Sequence, residues 1–183
     1  MIATERVWIT LEEFRALPET NTPIELIDGE LIVSPSPIDL HQDATGNTYI
    51  VVKKVGTKGK AKISPLDVYL GDNVVQPDVF WVSNEGSQCK LGDDGFWYGA
   101  PDLVVEVLSP GSANRDHRRK YQLYEQFGSR EYWIIDPQTE AVYVFFRKTR
   151  QDERFEALGI FKRGQSFESP LLAANIDVND LLP

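Results

Sequence analysis

The chain has 183 residues, of which 42% are hydrophobic and 26% charged, values typical of one soluble globular domain. No apolar run approaches the ~20 residues that span a bilayer, and the acidic N-terminus does not suit a signal peptide, so we expect a cytoplasmic protein without membrane contact. The single cysteine, Cys89, excludes an internal disulfide and a cysteine-rich zinc site, and a net charge of −9 argues against a general nucleic-acid coat.

Local patterns in the first half of the chain predict two helices, a hairpin and two strands. Thr10, with Glu13 three residues later, is typical of a capped helix start. Asp28-Gly29 between two apolar runs is a strong hairpin signal. Gly46 weakens the second helix. The predicted elements are a helix over 10–19, a hairpin over 24–35, a helix over 40–56, and strands over 61–71 and 74–83 joined by a turn at residues 72–73.

The second half predicts a strand, a helix and then further strands. Pro110 and Gly111 end the first of these strands, Ser112 or Asn114 caps the following helix, and Gly128 lies just past its end. The predicted elements are a loop over 84–100, a strand over 102–109, a helix over 110–129, strands over 130–137, 141–148 and 154–161, and a closing helical turn. This order predicts an α/β (α+β) fold in one domain over residues 1–183, with a mixed central sheet flanked by helices and an N-terminal helix and β-hairpin.

Basic residues are concentrated in two segments of this acidic chain. Residues 53–62 hold five lysines and no acid. Residues 113–130 hold five basic residues against Asp116 and Glu125. Such patches are compatible with a site that handles a phosphodiester, and equally with two solvated surfaces.

Two carboxylates interrupt apolar strands, where an unpaired charge is costly. Glu106 lies on the same face of its strand as Asp102, Val104 and Leu108, and Asp78 lies inside the apolar run of the preceding strand. If the strands are neighbours, the carboxylates either share a proton or bind a hard cation such as Mg²⁺ or Mn²⁺. The alternative is that each one caps a loop or pairs with an arginine. Asp102 lies ~13 Å along the strand from Glu106 and marks the strand start instead.

The helix after this strand carries Asp116, Lys120 and Tyr124 on one face, at a spacing of four residues. One interpretation is a surface Asp–Lys pair. The other is that Lys120 reaches back to the carboxylates, where an ammonium can stabilise a phosphorane-like transition state or position a water. The spacing alone leaves both open.

The order of these segments resembles the Uma-two family of putative restriction endonucleases, within the PD-(D/E)XK nuclease superfamily. The resemblance runs from about residue 10 to the end of the chain. The segments that carry it are "IELIDGEL" (24–31), His41, "QPDVFWV" (76–82), "PDLVVEVLSPGS" (101–112), "RDHRRKYQLYEQFGSREYWIIDP" (115–137) and "FESPLLAANIDVNDLL" (167–182).

The resemblance implies a restriction-endonuclease-like core and Mg²⁺-dependent hydrolysis of DNA phosphodiester bonds. On this reading Asp78 and Glu106 hold the metal, which lowers the pKa of a bound water and shields the scissile phosphate. The motif lysine would fall at position 108, which is Leu108 in this chain. Lys120 from the following helix is then the natural replacement.

Four further residues enter through the same resemblance. Glu25 matches the hairpin glutamate of the family and is a further acidic candidate for the site. His41 matches the helix histidine and would support the metal ligands without binding the metal. Arg118 and Arg119 are rivals of Lys120, but the helical phase turns them about 100–200° away from it.

Two other functions stay open. Leu108 and the acidic net charge favour a catalytically inactive nuclease-fold protein that binds nucleic acid or a protein partner. A carboxylate pair could also hydrolyse glycosides, with Trp81, Trp97 or Tyr98 as a sugar platform. For the endonuclease, a homodimer would place two sites about a two-fold axis for cutting both strands of a duplex.

Overall fold

The computed structural model describes residues 6–183 apart from residues 19, 21 and 110–113, and describes residues 114–117 by their backbone alone. The predicted cap at Ser112 or Asn114 and the predicted position of the Asp116 side chain therefore lie outside the described residues. Within the described part of the chain, no helix is long and apolar enough to cross a membrane.

The described residues form three α-helices, fifteen strands and a closing 3-10 helix, which is the predicted final turn. The helices are α1 (Leu11–Arg15), α2 (Asp39–Val55), α3 (Asn114–Phe127) and the 3-10 helix Val178–Asp180. The strands are β1 (Val7–Trp8), β2 (Ile24–Ile27), β3 (Glu30–Val33), β4 (Gly59–Ile63), β5 (Val68–Leu70), β6 (Asn73–Val75), β7 (Val79–Ser83), β8 (Lys90–Leu91), β9 (Trp97–Tyr98), β10 (Leu103–Val107), β11 (Glu131–Asp136), β12 (Ala141–Phe146), β13 (Glu156–Lys162), β14 (Ser166–Ser169) and β15 (Ala174–Asp177).

Two large mixed sheets organise these strands. One has seven strands in the order β1-β3-β2-β6-β5-β9-β8, and the other has six in the order β13-β12-β11-β10-β7-β4. The pairs β5–β9 and β10–β11 are parallel and the other pairs are antiparallel. A separate hairpin, β14–β15, follows. The predicted α/β architecture, with its N-terminal helix and β-hairpin, is confirmed.

The two strands predicted over residues 61–71 and 74–83 are each divided between the two sheets. The first becomes β4 and β5, and the second becomes β6 and β7. Pro65 and Pro77 lie in the two breaks, and proline has no N–H with which to continue a ladder. Asp78 therefore lies at a corner, where the chain passes from one sheet into the other. The predicted loop over 84–100 also contains the short strands β8 and β9.

Strand alternation gives β10 two different environments. Val105 and Val107 belong to the core cluster that includes Ala44 and Val52 of α2. Val104 belongs to the cluster that includes Leu123 and Tyr124 of α3. The six-stranded sheet is thus flanked by α2 on one face and α3 on the other. Glu106 shares the parity of Val104, so its side chain lies on the α3 face.

Local signals explain why the first elements form where they do. Thr10 Oγ1 accepts from the Glu13 backbone N–H, and Glu13 accepts in return from the Thr10 N–H, which completes a capping box at α1. Asp28 and Gly29 both have positive φ, as a tight two-residue hairpin turn requires. Helix α2 runs through Gly46 without a break, because its packed face holds it on the sheet.

Two glycines of the α2 region provide a matched test of this packing. A Cβ added at Gly46 meets nothing within 4 Å, whereas one added at Gly56 lies 2.5 Å from Trp81 Nε1. We expect Gly46→Ala to raise the free energy of unfolding by ~0.5–1 kcal/mol through helix propensity. Gly56→Ala should lower it by ~1–3 kcal/mol through overpacking. Urea denaturation of both variants measures the difference, and equal effects would contradict the packing described for α2.

Candidate active site

The site lies where the start of β7 meets the end of β10. Val79 pairs with Val105 in the antiparallel ladder, and one step further along each strand come Asp78 and Glu106. The Val107 backbone N–H donates to Asp78 Oδ2 over 2.8 Å, which ties the first carboxylate to the strand of the second. The structure thus brings together the two carboxylates that the sequence singles out.

Glu106 is held by two side chains from one face of α3. Glu106 is buried, with only 3% of its surface exposed to solvent. Lys120 Nζ lies 3.1 Å from Glu106 Oε2, and the Tyr124 hydroxyl donates to Oε1 over 2.8 Å. Both oxygens of this buried carboxylate therefore have a donor, which offsets the cost of burying its charge.

Lys120 joins Glu106 to a third carboxylate, that of Glu25 on β2. Its Nζ lies 2.8 Å from Glu25 Oε1, and the same oxygen accepts from the Gln76 backbone N–H over 2.7 Å. Burial lowers the pKa of Lys120, but the charges of Glu106 and Glu25 outweigh burial and raise it above its ordinary value. The ammonium is therefore charged throughout the physiological pH range.

His41, on the first turn of α2, contacts the same oxygen of Asp78 as the Val107 N–H. Its Nε2 lies 3.3 Å from Asp78 Oδ2, and Thr45 Oγ1 lies 3.4 Å from its Nδ1. Burial lowers the pKa of His41, but the hydrogen bond and charge of Asp78, together with the charge of Glu106, raise it above its ordinary value overall. A protonated His41 is thus favoured beside Asp78.

The charges at this site do not balance. Burial raises the pKa of Glu106 to about 7, Lys120 opposes this shift, and the neighbouring carboxylates of Asp78 and Glu25 add to it. Three carboxylates therefore share one lysine, and His41 adds a positive charge only when protonated. This excess of negative charge favours either a bound proton or a bound cation.

The rival basic residues of α3 lie elsewhere. Arg118 is exposed. Arg119 contacts the β2–β3 hairpin, where it donates to Glu30 Oε2 and to the Ile27 carbonyl, each over 2.6 Å. Arg119 therefore anchors α3 to the hairpin that carries Glu25, and of these three basic residues it is Lys120 that reaches the carboxylates.

Asp102 and Leu108 mark the two ends of β10. Asp102 is buried at the strand start, where it accepts from the Ser83 backbone N–H over 3.0 Å and lies 3.6 Å from Arg130. Leu108 is half-buried, and its backbone N–H extends the parallel ladder by donating to the Ile135 carbonyl. Neither side chain contributes a charge to the carboxylate cluster.

Sequence patterns predict no role for Tyr124 or Gln76, although both contact the cluster. Tyr124 stands four residues after Lys120 on the same helical face, and this spacing was the available signal for its bond to Glu106. The Gln76 contact uses the backbone N–H, so no side-chain pattern could predict it.

The carboxylate oxygens of this site are the type of ligand that a hard divalent cation prefers. Mg²⁺ takes one or two carboxylates from a protein and retains several waters, and Asp78 and Glu106 supply two carboxylates in an environment with surplus negative charge. Within the described ranges, no group of three His, Cys, Asp or Glu side chains is arranged to hold a metal. The residues therefore fit an ion that keeps much of its hydration, rather than one enclosed by protein ligands.

Comparisons with known proteins agree with this architecture. The model of the family described as Uma2, putative restriction endonuclease, matches residues 11–179. A crystal structure described as a putative nuclease belonging to DUF820, from Anabaena variabilis ATCC 29413, superposes with a TM-score of 0.78 at 24% identity. The match covers 94% of this chain and 97% of the other, and it shows a shared fold. No curated protein matches the chain significantly.

The raised pKa of Glu106 predicts a specific pH dependence of stability in the metal-free protein. Its pKa is about 7 in the folded chain, against an ordinary value of 4.5. A carboxyl whose pKa rises on folding contributes its full stability below the lower value and loses it as the pH rises through the higher one. Measured in EDTA, the free energy of unfolding of the wild type should therefore fall relative to Glu106→Gln between about pH 4.5 and 7.

The matched control for this experiment is Glu156→Gln, which changes an exposed glutamate on β13 at the far edge of the same sheet. The difference in free energy of unfolding between the wild type and this variant should change little over the same pH window, because surface ion pairs contribute little to stability. A wild-type minus Glu106→Gln difference that stays constant with pH would contradict the described burial of Glu106.

Proposed function

The chain belongs to the Uma2 family of putative restriction endonucleases, and from this premise we propose that it is a metal-dependent endonuclease that hydrolyses DNA phosphodiester bonds at the cluster of Asp78, Glu106 and Lys120. Water adds its oxygen to phosphorus, one P–O ester bond breaks, and the departing oxygen takes up a proton. The proposed substrate is DNA. The chain acts as one domain over residues 1–183, in the cytoplasm. A homodimer supplies two sites, one for each strand of a duplex.

The observation that carries the proposal is the position of the Lys120 ammonium. It lies 2.8 Å from Glu25 Oε1 and 3.1 Å from Glu106 Oε2. Lys120 belongs to helix α3, whereas the strand position of the motif lysine is occupied by Leu108. A helix-borne lysine thus delivers the missing charge to the same carboxylates.

Asp78 and Glu106 would hold Mg²⁺ or Mn²⁺. When bound, such a cation neutralises charge on the phosphate and lowers the pKa of a water molecule. Glu25 contributes a third negative charge and pairs with Lys120 alongside Glu106. The surplus of carboxylates therefore serves to attract the cation, while Lys120 keeps the cluster from excessive repulsion.

Lys120 acts as a fixed positive charge in this mechanism. Its raised pKa means that it keeps its proton across the working pH range, so it cannot serve as the general base. Its hydrogen-bonded position allows it to stabilise the charge that develops on the phosphoryl oxygens or to orient the attacking water. His41 orients Asp78 from the α2 side, and Tyr124 orients Glu106 from the α3 side.

A second function is favoured by Leu108. If Lys120 serves only to neutralise buried carboxylates, the protein binds nucleic acid or a protein partner without cutting. Metal binding and cleavage separate the two functions, because a non-cutting protein gives no product even when the cation is bound.

Isosteric substitutions at the carboxylates provide the direct test. We expect Asp78→Asn and Glu106→Gln each to reduce Mg²⁺-dependent cleavage of supercoiled plasmid by roughly 10³-fold, because each removes a charged ligand and several kcal/mol of stabilisation. The control Glu156→Gln should cut like the wild type. Product formation with Mg²⁺, Mn²⁺ and EDTA is read on gels, with thermal melting to confirm folding.

Two outcomes would contradict the assignment. Undiminished cutting by Asp78→Asn would place the site elsewhere. A wild-type protein that binds Mn²⁺ in calorimetry but releases no product from plasmid, duplex or single-stranded oligonucleotide would favour the non-cutting function.

Tyr124→Phe tests the positioning of Glu106 separately. The variant keeps the ring that packs in the α3 cluster and removes one hydrogen bond, so folding should be retained. Loss of a bond that orients a metal ligand typically costs about 10–100-fold in metal affinity or activity. We expect a lower cleavage rate that is partly recovered at high Mg²⁺, whereas Tyr121→Phe on the same helix should leave the metal dependence unchanged.

A further inference from the structure

Five lysines lie between residues 53 and 62, and the catalytic cluster uses none of them. The lysines that form ion pairs within the described part of the chain are Lys120 and Lys148, so those of residues 53–62 carry uncompensated charge there. Lys53 and Lys54 occupy the last turn of α2, where cations are stabilised by the helix dipole. The remaining three need another explanation.

The other three lysines are Lys58, just before β4, and Lys60 and Lys62 within this strand. Lys60 pairs opposite Val82 and Lys62 opposite Phe80, and the Lys58 carbonyl extends the same ladder by accepting from the Asn84 N–H. Because side chains alternate along a strand, Lys60 and Lys62 share one face of β4, about 6.6 Å apart, and Lys58 lies in the turn that leads into the strand. We call these three residues the lysine track.

The lysine track lies on an open edge of the six-stranded sheet. Strand β4 is the last in that sheet, and among the described strands it pairs with β7 alone. Lys58 and Lys60 are exposed, while Lys62 is half-buried with its Nζ 5.6 Å from the Trp97 ring centroid. The intervening Ala61 and Ile63 pack against the core on the α2 side, so the charges are confined to one side of the strand.

The lysine track leads to the candidate active site. Ile63 at the end of β4 pairs with Val79, and the Ser64 N–H donates to the Asp78 carbonyl over 3.0 Å. Asp78 thus lies beside the end of the strand, two residues beyond Phe80, the partner of Lys62. A polymer of negative charge bound along β4 would pass directly to the carboxylate cluster.

We propose that the lysine track binds the sugar–phosphate backbone of the nucleic acid along β4, next to the candidate active site. This rests on the proposed function for the identity of the substrate. An acidic protein repels a polyanion as a whole, so it needs a local acid-free surface to admit one. The contacts are to phosphates and set position and orientation, without reading sequence.

The test is DNA binding by a double variant, Lys58→Gln with Lys60→Gln, measured by fluorescence anisotropy on a labelled duplex in EDTA. The matched control is Lys148→Gln with Lys162→Gln, which removes equal charge from the opposite edge of the same sheet, at the end of β13 and two residues after β12. Loss of two phosphate contacts should reduce the slope of log K against log salt by about 2 and weaken binding on the order of tenfold at ~0.1 M salt.

The outcomes separate this inference from the proposed function. A weakened Kd together with an unchanged single-turnover cleavage rate at saturating DNA supports both. A weakened Kd with no cleavage by any form supports the lysine track and overturns the endonuclease. An unchanged Kd, or an equal loss in the control variant, overturns the lysine track even if cleavage is normal.

Edge-strand lysines also prevent edge-to-edge association of sheets, and this role gives a distinct result. Under it, the double variant self-associates in size-exclusion chromatography while its monomer keeps wild-type DNA affinity. That combination would overturn the proposal. Both lysines are exposed, so the variant should melt at the wild-type temperature, and thermal melting verifies that any change in Kd is not a loss of fold.

Discussion

A single buried ammonium links three parts of the fold. Lys120 belongs to α3, Glu25 to the seven-stranded sheet and Glu106 to the six-stranded sheet. Removing one member of a buried ion cluster leaves the others without compensation, at a typical cost of about 3–5 kcal/mol. The relative placement of the two sheets and the charge balance of the site are therefore one constraint, set by the same three side chains.

The neighbouring contacts follow from this constraint. Arg119, adjacent to Lys120, fixes α3 to the turn region of the hairpin that carries Glu25. Tyr124, one turn later, donates a hydrogen bond to the other oxygen of Glu106. The helix is thus held by Arg119, Lys120 and Tyr124, and its lysine has little freedom to leave the carboxylates. A cluster with surplus negative charge and a fixed cation is preorganised for a reaction at a phosphate.

The parts of the structure that local signals determine could be predicted from the sequence. The capping box at Thr10, the Asp28-Gly29 turn and the apolar strand around Glu106 all form as expected. The division of residues 61–71 and 74–83 between two sheets could not be predicted, because apolar periodicity does not reveal which sheet a strand joins. Local patterns do not predict the hairpin β14–β15 either, because its anchor is tertiary: Glu131 accepts from Ser169 Oγ over 3.0 Å.

The residues of the carboxylate cluster also differ in whether a local sequence signal points to them. Asp78 and Glu106 attract attention because each charge violates an apolar pattern, and Lys120 because of helical spacing from its neighbours. Glu25 has no such local signal and entered only through the family resemblance. Its contact with Lys120 spans 95 positions of the chain and depends on how two sheets meet. The metal-binding and catalytic roles of these residues remain predictions.

The long sequence separations within the cluster also have a kinetic consequence. Closing a loop of this length costs conformational entropy before the contact contributes any stability, and folds rich in such contacts form slowly. During synthesis, the hairpin with Glu25 emerges long before α3, so a nascent chain holds carboxylates but not their lysine. We expect the cluster to assemble among the last features of folding, because it needs α3 as well as both sheets.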